Sequence, residues 1–120
     1  MYNKKWGESI LLKKLIDKFY IDEIDDIYWI NEEILLDIFL EDDFYKNNTY
    51  FYLLNLYYLY LDKEMYKEVA YLAYLISYYL FILETPFGSE FISKKYAKYA
   101  LKYNNIEKYR EWMNYINQGN

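Results

Sequence analysis

Three observations predict an all-α fold for this 120-residue chain, as a single helical domain (1–120) of five or six helices. Apolar residues recur at helical spacing through most of its length. Glycine occurs only at positions 7, 88 and 119, and the one proline, Pro86, stands beside Gly88 in the clearest break, Thr85-Pro86-Phe87-Gly88-Ser89. Hairpin strands need glycine-rich tight turns between alternating segments, which this composition does not supply. Helices paired as antiparallel hairpins through short turns fit the pattern.

The first helix is predicted over about Glu8 to Tyr20, where Leu11, Leu12, Leu15, Ile16 and Phe19 fall on one helical stripe. Ile21 to Ile30 is open between a short helix and an irregular acidic connection. Asn31 is placed to cap a helix from Glu32 to about Tyr45, with Glu32 and Glu33 in the first turn, where negative charge is favourable. Asn48 or Thr49 caps the next, to about Leu61. Asp62 caps a long helix from Lys63 to about Leu83, which Pro86 stops because proline has no N–H to donate and clashes with the turn before it. Ser89 caps Glu90 to about Tyr103, and Asn104 or Asn105 caps the last helix, to about Asn117; Ser9 also reads as a cap.

Two stretches carry no charge, Asn47 to Leu61 and Val69 to Leu83. Each is shorter than the ~20 apolar residues that span a bilayer, and each is rich in tyrosine and bounded by charge. They read as buried central helices, and no membrane is expected as a partner. The nineteen tyrosines accompany abundant Ile, Asn, Lys and Phe and scarce Ala, Gly, Pro and Val, the bias of an AT-rich genome. Tyrosine also supplies rigid, amphipathic area at protein interfaces.

The chain has no cysteine and no histidine, which removes thiol chemistry, thiolate zinc sites and imidazole bases. Ser9, Ser77, Ser89 and Ser93 lie in neither G-x-S-x-G nor S-x-x-K, the settings that activate a serine. The pairs Asp25-Asp26, Glu32-Glu33 and Asp42-Asp43 lack the histidines of a helical di-iron site and the turn glycine of an EF-hand. No enzymatic activity, cofactor or metal is expected. The absence of cysteine, and Lys13 and Lys14 interrupting the apolar run Ile10 to Ile16, fit a cytoplasmic protein without an export signal.

Charge is distributed unevenly. Asp22, Glu23, Asp25, Asp26, Glu32, Glu33, Asp37, Glu41, Asp42 and Asp43 lie between Phe19 and Lys46 with no lysine or arginine among them, while the rest of this chain of net charge −5 is net basic. On a helix Glu33, Asp37 and Glu41 stack at i, i+4 and i+8, at roughly 0.2–0.5 kcal/mol of repulsion per neighbouring pair. Tyr28, Trp29, Ile30 and Phe44 stand among the acids, giving aromatic anchors with a charged rim. Dense acid steers a basic partner. A basic ridge, Lys94, Lys98 and Lys102, has the same spacing with Tyr96, Tyr99 and Tyr103 interleaved. Net negative charge argues against nucleic acid as its main ligand; the basic ridge is a solvated face or pairs with the acidic one, inside the chain or across a homodimer.

Leu61 to Val69 and Leu101 to Tyr109 align at an offset of forty residues, each across a helix-to-helix turn. Both resemble the turn of tetratricopeptide-like hairpins, in which a polar turn leads into an aromatic and two charged residues. Ala70 with Ala73 and Ala97 with Ala100 form i, i+3 pairs that let helices approach closely. The turn glycine, the second-helix alanine and the terminal proline of that pattern are missing, so an irregular bundle stands beside a tetratricopeptide-like array.

The acidic segment Asp22 to Asp43, with the turns at Asp62 to Val69 and Asn104 to Tyr109 in a small, acidic, cysteine-free, aromatic-rich helical chain, resembles the immunity proteins encoded beside bacterial contact-dependent and other polymorphic toxins. That resemblance implies a non-catalytic protein that binds a basic, nuclease-like toxin domain in the cytoplasm and covers its active site with acidic side chains. It implies that Glu33, Asp37 and Glu41 pair with toxin Lys or Arg and that Tyr28 and Trp29 fill apolar pockets. A tetratricopeptide-like adaptor or chaperone is the alternative, holding a peptide in its groove through tyrosines such as Tyr57, Tyr60 or Tyr99.

Overall fold

The uncharged run beginning at Val69 forms the centre of the molecule, with nine consecutive side chains, Val69 to Ser77, buried. A helix apolar all round must be enclosed on every side, and the rest of the chain does this. The computed structural model describes residues 4–19 and 26–118, with residues 4–6 as backbone only. Among the described residues the order is α1 (Lys4–Lys18), α2 (Glu32–Glu41), α3 (Phe44–Asp62), α4 (Tyr66–Tyr78), a π-helical turn (Tyr79–Leu83), α5 (Ser89–Tyr103) and α6 (Glu107–Asn117). The fold is all-α, with no strand among the described residues. None of their helices is long and apolar enough to cross a membrane.

Successive helices pack on one another, and α4 against α5 is the most extensive contact. Its cause is side-chain size: Ala70 and Ala73 on α4 and Ala97 and Ala100 on α5 are all buried. The close approach brings Ser77 and Ser93 together, their hydroxyls 3.1 Å apart and each donating to the other's backbone carbonyl at 2.7 Å. Trp112 of α6 donates its indole N–H to Ser77 Oγ at 2.7 Å, so α4, α5 and α6 share one satisfied polar node. These serines hold helices together.

The aligned turns occupy corresponding places in the α3–α4 and α5–α6 hairpins. Val69 and Tyr109, equivalent in the alignment, are both buried, and the rings of Tyr66 and Tyr103 stack at 5.3 Å. In the α3–α4 turn Glu64 adopts φ +58°. Its N–H bonds the Leu61 carbonyl and the Met65 N–H bonds the Tyr60 carbonyl, both at 3.0 Å, the paired bonds of a Schellman motif. Glu64 takes the left-handed place usually given to glycine. The helix after it therefore starts at Tyr66, not at Lys63, and Asp62 closes α3 instead of capping α4.

Other boundaries also shift. The break between α2 and α3 falls at Asp42–Asp43, because Asp42 Oδ1 accepts the Phe44 N–H at 2.9 Å and turns the chain before Tyr45. Asn48 and Thr49 then lie inside α3, Asn48 bonding the Phe44 carbonyl at 3.1 Å. Ser9 lies inside α1, and Ser89 is the first residue of α5 with Gly88, at φ +86°, preceding it. The α1 stripe is narrower than the spacing predicts: Leu12 and Ile16 are buried, whereas Leu11 and Phe19 are exposed. Before Pro86, α4 widens into the π-helical turn, which the Glu84 N–H closes on the Tyr79 carbonyl at 2.8 Å.

Candidate functional site

The candidate surface is the outer face of α2. Asn31, in extended conformation, accepts the Ile34 N–H on its side chain at 3.1 Å, satisfying one of the unpaired amides that open a helix. Ile34, Leu35 and Ile38 point into the core at 0–1% exposure. Six of the ten α2 residues are apolar, more than one buried face accommodates. Leu36 and Leu40 are therefore turned outward, 37% and 73% exposed. At i, i+3 and i+4 spacing they share that surface with Glu33, Asp37 and Glu41, and no basic residue lies in α2.

Several acids already hold positions within the fold. Glu41 bonds Lys13 of α1. Asp43 pairs with Lys46 at 2.9 Å, one turn into α3. Asp26 accepts the Tyr28 N–H at 2.8 Å, an Asx-type turn, and Asp42 accepts the Phe44 N–H. Glu33 and Asp37 make contacts of their own. Asp22, Glu23 and Asp25 lie outside the described residues. Exposed ion pairs of this kind add roughly 0–1 kcal/mol each, so they orient the acids without removing the surface from use.

Glu32 is different. Tyr74 donates its hydroxyl to Oε2 at 2.6 Å, and Lys108 of α6 lies 3.4 Å away with its ammonium 4.8 Å above the Tyr74 ring. Burial pushes the Glu32 carboxyl up, but the Tyr74 hydroxyl, the backbone N–H and Lys108 together outweigh it and hold the group below the usual carboxylate range. Tyr74 is pushed up by burial first and by its bond to Glu32 second. Glu32 thus ties α2 to α4 and α6.

Tyr28 and Trp29 are partly committed as well. The Tyr28 ring packs on Tyr71 at 4.8 Å and its hydroxyl donates to Glu68 at 3.2 Å; burial, then the Glu68 charge, pushes that hydroxyl up to about 12. Tyr71 donates to the Ile30 carbonyl at 2.8 Å and pins the segment to α4. Trp29 packs half-buried against the core. The most open apolar side chain in α2 is instead Leu40, which the sequence reading did not single out; the signals for it were its helical register with Glu33 and Asp37 and the excess of apolar residues in a ten-residue helix.

Of the tyrosines expected to face a groove, Tyr57 and Tyr60 are buried in the core and only Tyr99 reaches a surface cleft. The acidic and basic ridges are not matched residue for residue within the chain, since Glu41 bonds Lys13 and Lys94 pairs with Glu90 at 3.1 Å. Among the described residues no three acidic side chains converge as metal ligands. Comparison with protein-family models, with curated proteins and with solved structures finds no match to this chain.

Proposed function

We propose that this chain is a non-catalytic protein-binding module that captures a basic protein on α2, and that it acts as an immunity protein neutralising a nuclease-like toxin. One observation carries the reading: Leu40, 73% exposed, stands on the same helix face as Asp37 and Glu41. An apolar anchor that desolvates fully, inside a rim of charge that steers and orients, is how protein interfaces combine affinity with selectivity. An acidic face suits a partner whose own site is built for phosphate, because its lysines and arginines accept carboxylates in the same positions.

The test is capture from the source cell's lysate with the tagged chain, beside a Glu33→Lys, Leu40→Lys variant whose helicity is verified. A basic protein retained by the wild type, lost by the variant, and active on nucleic acid only when the chain is absent is the expected result. A partner held equally by both, or one without basic character, contradicts the proposal.

A further inference from the structure

The side of the molecule formed by α3 and α5 carries features that the α2 reading does not use. Two adjoining clefts of about 410 and 310 Å³ open here, the smaller between α3 and α5 and the larger between α3 and the segment Leu80 to Ser89, where Glu84 is the one acid in the lining; Tyr50 and Ile92 line both. Phe51 and Tyr58 of α3 and Phe91 of α5 stand exposed at their mouths, Phe91 at 74%. The Tyr58 and Tyr96 hydroxyls, 3.1 Å apart, join the walls. Lys95 lines the smaller cleft, and Lys98 and Lys102 follow on the exposed side of the same helix. Among the described residues none of these three lysines has an ion partner.

Such a surface fits a helix that brings exposed aliphatic side chains with acids beside them. The chain contains one: α2, with Leu36 and Leu40 outward, Glu33, Asp37 and Glu41 beside them and no basic residue. Both faces have matching chemistry, an aliphatic strip for an aromatic cleft and a row of acids for a row of lysines. Helix α2 packs on α1, α3 and the π-helical turn, while α5 packs on α4, α6 and that same turn, so the two faces belong to different elements.

We infer that the α3–α5 cleft of one copy receives the α2 face of a second copy. Because two unlike patches meet, the contact is head-to-tail, and it either closes into a ring or continues past the dimer. Opposite charges in the rim make the association salt-sensitive. This concerns the chain alone and stands or falls without any basic partner; a partner on α2 would compete with the second copy.

Sedimentation velocity of the full chain over a wide concentration range, at low and high salt, tests the inference with two exposed-site variants whose circular dichroism matches the wild type. One is Glu33→Lys, Leu40→Lys; the other is Lys95→Glu, Lys98→Glu. The wild type is expected to sediment faster as concentration rises at low salt and to revert towards monomer at high salt. Each variant alone should associate at least roughly tenfold more weakly, because like charges then face each other. An equimolar mixture of the two variants should regain association, since the unaltered cleft of the first variant meets the unaltered α2 face of the second. A wild type that stays monomeric overturns the inference. So do variants that associate as the wild type does, which would place the contact on another face, and a mixture that stays monomeric.

Discussion

Ser77 and Ser93 bond each other's backbone carbonyls across the α4–α5 contact, each hydroxyl donating at 2.7 Å, and Trp112 donates to Ser77 Oγ at the same distance. Both serines are fully buried, so deleting one hydroxyl strands its neighbours' polar groups away from water. Ser77→Ala leaves the Trp112 N–H and one acceptor site unpaired and is expected to cost about 2–3 kcal/mol. Ser93→Ala strands a single acceptor site and should cost about 1 kcal/mol. The double variant should cost less than the sum, since the two share one interaction. Urea unfolding followed by circular dichroism measures all three; equal, additive losses would contradict a shared node.

Glu64 sits at φ +58° in the turn between α3 and α4, where a side chain costs about 1–2 kcal/mol that glycine avoids. Glycine loses more chain entropy on folding, which returns part of that difference. Glu64→Gly is therefore expected to stabilise the protein by about 0.5–1 kcal/mol, read as a higher urea midpoint at unchanged slope. A lower midpoint would mean that the carboxylate, not the backbone, holds the turn.

The Glu32 carboxyl is held below its ordinary value of 4.5 because the Tyr74 hydroxyl, the backbone N–H and Lys108 outweigh the opposing effect of burial. A group whose value is depressed on folding adds stability that is full above the unfolded value and lost as pH falls through the folded one. The stability difference between wild type and Glu32→Gln should therefore be largest near neutrality and shrink below about pH 4.5. A difference independent of pH would show that the charge on Glu32 contributes nothing.

Burial raises Tyr52, Tyr57, Tyr71, Tyr79 and Tyr96 above the ordinary value of 10.0, and moves Tyr109 to about 12. For these groups the sign is opposite: their contribution is full below pH 10 and is lost as pH rises. Tyrosinate absorbance from the buried set should therefore develop together with loss of helicity above pH 10. Tyrosinate forming at full helicity would contradict their enclosure.

The all-α class, the central place of the run from Val69 and the alanine-mediated contact follow from period and side-chain size, which a sequence displays directly. The boundary at Tyr66 does not, because it depends on Glu64 accepting a backbone conformation that residue type argues against. The same holds for the α2–α3 break, which one aspartate side chain moves by a few residues. At the candidate surface the spacing of Glu33, Asp37 and Glu41 is legible. Their neighbours are not: Lys13 reaches Glu41 across 28 positions, and Lys108 reaches Glu32 from the last helix. The exposure of Leu40 was within reach, since a ten-residue helix with six apolar side chains cannot bury all of them on one face.

Whether the acidic, leucine-bearing face of α2 is the binding surface is decided by the dissociation constant of the captured basic partner, compared between wild type and Leu40→Lys. Binding by the variant should be at least roughly tenfold weaker, as for an anchor at the middle of an interface, with association slowing further as salt is raised. Equal affinity of the two proteins, with the variant folded, would contradict it.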